Sequence, residues 1–121
     1  MVTTTDHQAL LAECHQWLSN LRHYREELNQ LRNRLYSAAA GKTDSAFCKE
    51  VEHYHNQFHI HSINIHDLKH TIKHHIHEAN HHPNFGHKVP HHQIELQYQA
   101  ELKAIDQLKS DFENFVAGKE G

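Results

Sequence analysis

Chain breakers are scarce in this sequence: four glycines and two prolines in 121 residues, which leaves room for long regular elements. Cysteine is nearly absent. Cys14 and Cys48 lack a C-x-x-C spacing, and two such thiols are the pattern expected of a reduced, cytoplasmic protein. Hydrophobic residues make up only 37%, too few for an ordinary compact globule but enough for elongated helices that share a narrow apolar seam. No uninterrupted apolar segment is long enough to span a bilayer. The opening "MVTTTDHQALLAECHQWL" also lacks the basic n-region and apolar run of a signal peptide. Positive charge is not in excess either. A formal net charge of −3 argues against electrostatic capture of nucleic acid, which needs a basic footprint. A phosphate-cradling loop is missing too. "AAAGKTDS" carries Gly41-Lys42-Thr43 but not the earlier glycine of G-x-x-x-x-G-K-[ST], and it follows a helix rather than a strand.

What the chain has instead is histidine, 17 residues of it. Eight fall within the twenty-two residues from His61 to His82, "HSINIHDLKHTIKHHIHEANHH". Full protonation would add 17 positive charges to the formal −3, near an unperturbed pKa of about 6.5.

The length fits one domain, residues 1–121. Thr5, with Gln8 three residues on, offers a capping box. Leu10, Trp17, Tyr24, Leu31 and Ala38 then hold one heptad position, and Cys14, Leu21, Leu28 and Leu35 hold the other. Gly41 is a natural stop, so the first helix is expected over about 6–40. Thr43 or Asp44 restarts the chain after a turn short enough to force an antiparallel hairpin. In the second helix, about 44–82, Val51, Phe58, Ile65, Ile72 and Ala79 share one seam position; Phe47, Tyr54, His61, Leu68 and His75 share its partner. Pro83 ends that ladder. After a loop at 83–89, Pro90 opens a third helix of about 90–117, with Ile94, Tyr98, Leu102, Ile105, Leu108, Phe112 and Phe115 on its apolar face and Gly118 as its stop. Glu101 is the weak point of that seam. The expected fold is all-α: an elongated antiparallel three-helix, up-down-up, coiled-coil-like bundle.

Two geometric expectations follow. In the first hairpin, residues whose numbers sum to about 84 should lie side by side, which places Cys14 near His70 and leaves Cys48 on the order of 33 Å away, beyond disulfide reach. A third helix about ten residues shorter than the others should also leave the turn end bare near Leu31, Leu35, Tyr36 and Phe47. A partner chain is expected to cover it, as in a homodimer.

Advancing the second helix by 100° per residue sorts its histidines. His55, His59, His66, His70, His74, His77 and His81 fall within an arc of roughly 100°, centred about 150° from the seam. Pairs at i, i+4 on that stripe can present two imidazoles to Zn, Ni or Cu, half of a tetrahedral site. The other ligands would come from a second chain or from His82, His87, His91 and His92 around the loop. The metal candidates are thus His66, His70, His74, His77, His81, His82, His87 and His91, set against the plainer reading of a solvated polar face. His61 and His75 lie on the seam as core histidines, where a polar residue fixes register. A buried imidazole must also charge as pH falls, so the bundle should weaken below about pH 6. Cys14 reads as a small core residue. Ile60 and Ile63 stand on the polar side and could seed a contact with another chain.

Glu52-x-x-His55, Asp67-x-x-His70 and Glu78-x-x-His81 look like pieces of hemerythrin or ferritin-like ligand sets. They occupy single turns of one helix and point away from the seam, which sets a metal-centre enzyme aside as a third reading. A narrow seam should leave no pocket of a few hundred Å³, so no catalysis is expected. The leading expectation is a non-enzymatic bundle acting in protein–protein association; the alternative is divalent metal binding or buffering.

Overall fold

The computed structural model describes residues 4–82 and 86–120 and contains three helices: α1 (Thr4–Ala39), α2 (Ser45–His81) and α3 (Lys88–Glu120). They form the up-down-up bundle that the heptads imply. Every seam position named on α1 is buried except Tyr24 and Ala38, which are half-buried. Phe58, Ile65, Ile72 and Ala79 on α2 share one core with Ile105 and Phe112 on α3, all at 0–1% exposure. Near the α1–α2 turn, Tyr54, Phe58, Phe112 and Phe115 pack ring to ring, with centroids 5.1–5.4 Å apart. Each such pair contributes about 0.5–1.5 kcal/mol beyond area burial.

Asp44 is the N-cap of α2: its carboxylate accepts from the Phe47 backbone N–H at 3.0 Å, answering one of the helix's orphan donors. Gly41, at φ 74°, supplies the left-handed residue that turns the chain between α1 and α2. Thr5 lies within α1 rather than before it, because the helix starts one residue earlier; ends of this kind fray by one or two residues. The stop expected of Pro83 lies outside the described residues.

α3 departs from expectation at both ends. It begins at Lys88, with Pro90 inside its first turn, and it runs through Gly118 to Glu120. Glycine ends a helix when it takes a left-handed conformation, and among the described residues only Gly41 has positive φ. α3 covers the turn end itself, through a residue already inside the expected range. Phe115 stacks on Phe47 at 5.4 Å, and Leu31, Leu35 and Phe47 are 4%, 0% and 5% exposed within the single chain. Tyr36 stays exposed and hydrogen-bonds His55 Nδ1 through its hydroxyl at 3.1 Å.

Two of the three polar residues in the seam, His61 and Glu101, answer each other. His61 Nδ1 lies 2.6 Å from Glu101 Oε1, and Asn64 Nδ2 donates to Glu101 Oε2 at 3.4 Å. A half-buried acid and a half-buried base thus satisfy one another across α2 and α3.

The axial register of the hairpin differs from the simple midpoint rule. Cys14 meets His75, and Tyr36 meets His55, pairs whose numbers sum to about 90 rather than 84. Side chains lean toward the N-terminus of their own helix. In an antiparallel pair the two leans add, which carries each α1 residue toward an α2 residue further along the chain. Cys14 and Cys48 are both free thiols.

Candidate metal centre

Because of that shift, one α1 thiol and two imidazoles from different helices converge at the end of the bundle away from the α1–α2 turn. Cys14 lies on the α1 seam, His75 on the α2 seam, and His91 in the first turn of α3. Cys14 Sγ is 3.9 Å from His91 Nδ1, and His75 Nε2 is 3.1 Å from the same nitrogen. One ligand atom from each of the three residues lies within 4.8 Å of the others. A tetrahedral ion with bonds of about 2.3 Å to sulfur and 2.0–2.1 Å to nitrogen sets its ligand atoms roughly 3.4–3.6 Å apart. The 3.1 and 3.9 Å separations bracket that spacing, and no pair of ligand atoms in the cluster is more than 4.8 Å apart.

Neighbouring side chains fix the ring orientations. Trp17 stacks on His91 (centroids 4.7 Å, 22° between planes), and His75 stacks on His91 at 5.2 Å and 30°. With Nδ1 of His91 facing the cluster, its Nε2 points outward. That atom is buried without a hydrogen-bond partner, and the nearest counter-charge, Glu13 Oε2, is 3.7 Å away. This is an ion-pair distance rather than a hydrogen bond, and Glu13 is half-exposed and free to close it. A carboxylate behind a ligating imidazole fixes its tautomer and raises its basicity.

The protonation states suit ligation. Burial, helped by the adjacent Glu13 carboxylate, pushes the Cys14 thiol up to about 12, so it keeps its proton until a cation replaces it. Burial first, then the neighbouring His91, His87 and His74 rings, lower His75 from 6.5 to about 4. His75 is therefore neutral at pH 7, with a lone pair to offer.

The histidines of the outer stripe are placed differently. His66 and His70 are exposed and meet edge to face at 4.6 Å. His77 and His81 are exposed and stack at 4.0 Å, with His81 Nδ1 turned to the His77 carbonyl at 2.9 Å. His74 is exposed and sits 3.9 Å from Glu78. His87 is buried, its Nε2 donating to the carbonyl of the exposed His82 at 2.7 Å, and its ring lies 6.0 Å from that of His75. Among the described residues, only Cys14, His75 and His91 bring three potential ligand atoms together. Of the eight metal candidates expected from sequence, that set includes His91 alone. Glu52, His55, His70 and His81 point to solvent, as their helical phase requires.

The expectation of no pocket is corrected. A cavity of about 450 Å³ opens between α2 and α3 at the loop end, lined by His74, His75, Glu78, His82, His87 and Ile94 among others. The seam there carries His75 and Ala79 instead of large aliphatic residues, so the helices do not fill the space between them. His75 forms a wall of this cavity and a corner of the cluster.

No known protein family, curated protein or solved structure matches the chain. Among the described residues, no helix is long and apolar enough to cross a membrane.

Proposed function

We propose that the protein is a non-enzymatic, metal-binding helical bundle in which one divalent ion, Zn²⁺ foremost, joins the three helices through Cys14, His75 and His91. The observation behind this reading is the convergence of three ligand atoms, one from each helix, within 4.8 Å. A thiolate with two imidazoles is a donor set for borderline-soft first-row ions. Cu²⁺ also favours it, particularly in a trigonal arrangement. Three protein ligands leave a fourth position for water or an outside donor. Because the ligands come from separate helices, binding energy becomes bundle stability.

The test is calorimetric titration of the metal-free, untagged chain with Zn²⁺, Ni²⁺ and Cu²⁺. One tight site, lost in Cys14→Ser, His75→Gln and His91→Gln but kept when His77, His81 and His82 become Gln, supports the reading. Binding that follows the outer stripe and ignores Cys14 contradicts it.

A second reading, self-association, rests on Ile60 and Ile63, each 46% exposed on the outer side of α2. Sedimentation of the parent chain beside an Ile60→Lys/Ile63→Lys variant decides it. A dimer that the double change dissociates supports the reading, and a parent that sediments as a monomer removes it.

A further inference from the structure

About 20 Å along the bundle from Cys14, the α1–α2 face holds a second concavity, of about 290 Å³. Its α1 wall is Arg25, Asn29 and Arg32, and its α2 wall includes His59, His66 and Lys69. These residues recur at three, four and seven positions along their helices, and Ser62, Ile63 and Ile65 complete the α2 wall. Arg22 and Lys73 extend the stripes beyond the concavity. Burial first, then repulsion from Lys73, Arg25 and Arg22, lowers the Lys69 ammonium below its ordinary pKa.

Antiparallel helices ordinarily set opposite charges across their flanks. In this groove like charge meets like, in a chain whose formal net charge is −3. Elsewhere in the bundle Arg34 pairs with Glu113 and Lys109 with Glu27, while the exposed Lys42, Lys49 and Lys103 stand apart from one another in the sequence instead of facing other cations across a groove. Among the described residues, none of Arg22, Arg25, Arg32, Lys69 and Lys73 is in an ion pair, and Arg32 Nε is buried with no hydrogen-bond partner. Glu26 and Asp67 are near in sequence, but each stands about 100° around its helix from the adjacent groove residue.

We propose that this groove binds a compact phosphate-class oxyanion, with Arg25, Arg32 and Lys69 supplying charge and hydrogen bonds. The guanidinium groups present paired N–H donors that match the edge of a phosphoryl group, and Lys69 adds a point charge. Asn29 offers a neutral amide donor on the same wall. The anion would answer the buried Arg32 donor and relieve the repulsion between the two stripes. It can arrive as free phosphate or as the head of a small organic phosphate ester, since the recognised group is the same.

The experiment titrates the metal-free full chain with orthophosphate, pyrophosphate and ribose 5-phosphate, with sulfate as control, by calorimetry and phosphorus NMR. The expected result is saturable one-to-one binding of at least one phosphate probe. It should weaken tenfold or more in Arg25→Gln and in Lys69→Gln, and stay unchanged in His91→Gln at the metal cluster. Tighter binding of the two inorganic probes identifies a free ion as the ligand; tighter binding of the sugar phosphate identifies an ester, and either supports the site. Equal, weak binding of sulfate and phosphate, indifferent to both groove substitutions, means an adventitious ion only and overturns the proposal. Without phosphate, Arg25→Gln and Lys69→Gln should melt no lower than the parent. Melting well below it would show that these cations hold the bundle together, and would equally overturn the assignment.

Discussion

His75 makes the metal-free bundle acid-sensitive, and the size of the effect follows from its position. The residue is 5% exposed, and burial, reinforced by His91, His87 and His74, holds it near 4 against 6.5 when free. The folded-state value lies below the unfolded one, so the unfolded chain binds the extra proton first. Stability is fully present above about 6.5, falls as pH drops toward 4, and levels off below that. The full shift corresponds to an upper bound of about 3 kcal/mol, of which about 2 kcal/mol is lost between pH 8 and pH 5. The assay is urea unfolding in excess chelator at several pH values in that range, for the parent and for His75→Leu. The other sixteen histidines are common to both proteins, so the difference between the two curves isolates His75. A parent-minus-variant difference that changes by less than about 0.5 kcal/mol from pH 8 to 5 would refute the reasoning, because a buried neutral imidazole cannot be that indifferent to protons.

Glu101→Ala strips the half-buried His61 of its partner and should cost roughly 1–3 kcal/mol in urea unfolding, whereas His61→Leu with Glu101→Leu should recover most of that loss. Zinc binding at pH 7 should release about one proton per ion, because the Cys14 thiol starts protonated; calorimetry in buffers of different ionisation enthalpy measures it, and release near zero would mean the thiol is not a ligand. Glu13→Gln should leave the fold intact and weaken zinc by roughly tenfold or more, through the orientation of His91; unchanged affinity would remove Glu13 from the site.

The bundle could be read from the sequence because its signals are local and repetitive. Leu21, Leu28 and Leu35 repeat at seven, Phe58, Ile65 and Ile72 do the same, and Asp44 caps its own helix. The end of α3 was less legible, since Gly118 is a stop signal only in a backbone conformation that the sequence does not specify. The cluster of Cys14, His75 and His91 was legible in pieces. Cys14 alone looks like a small apolar residue, and His75 alone looks like a register-setting polar residue. Only His91 belonged to a recognisable group of ligand types. Their meeting depends on the lean of side chains along two antiparallel helices, which moved the neighbour of Cys14 from His70 to His75. A second obstacle was abundance: the outer stripe supplies many i, i+4 histidine pairs, but their rings face solvent and share no third ligand among the described residues. The cationic groove between α1 and α2 was hidden for a related reason. Its cations are scattered in sequence and outweighed by acids overall, and only the pairing of α1 with α2 gathers them.

X-ray absorption at the zinc edge, on protein loaded with one equivalent of Zn²⁺, tests the three-helix site most directly. The account predicts a first shell containing one sulfur at about 2.3 Å and two imidazole nitrogens at about 2.0–2.1 Å, with the sulfur lost in Cys14→Ser. A shell made only of nitrogen and oxygen would place the ion on the surface histidines and contradict it.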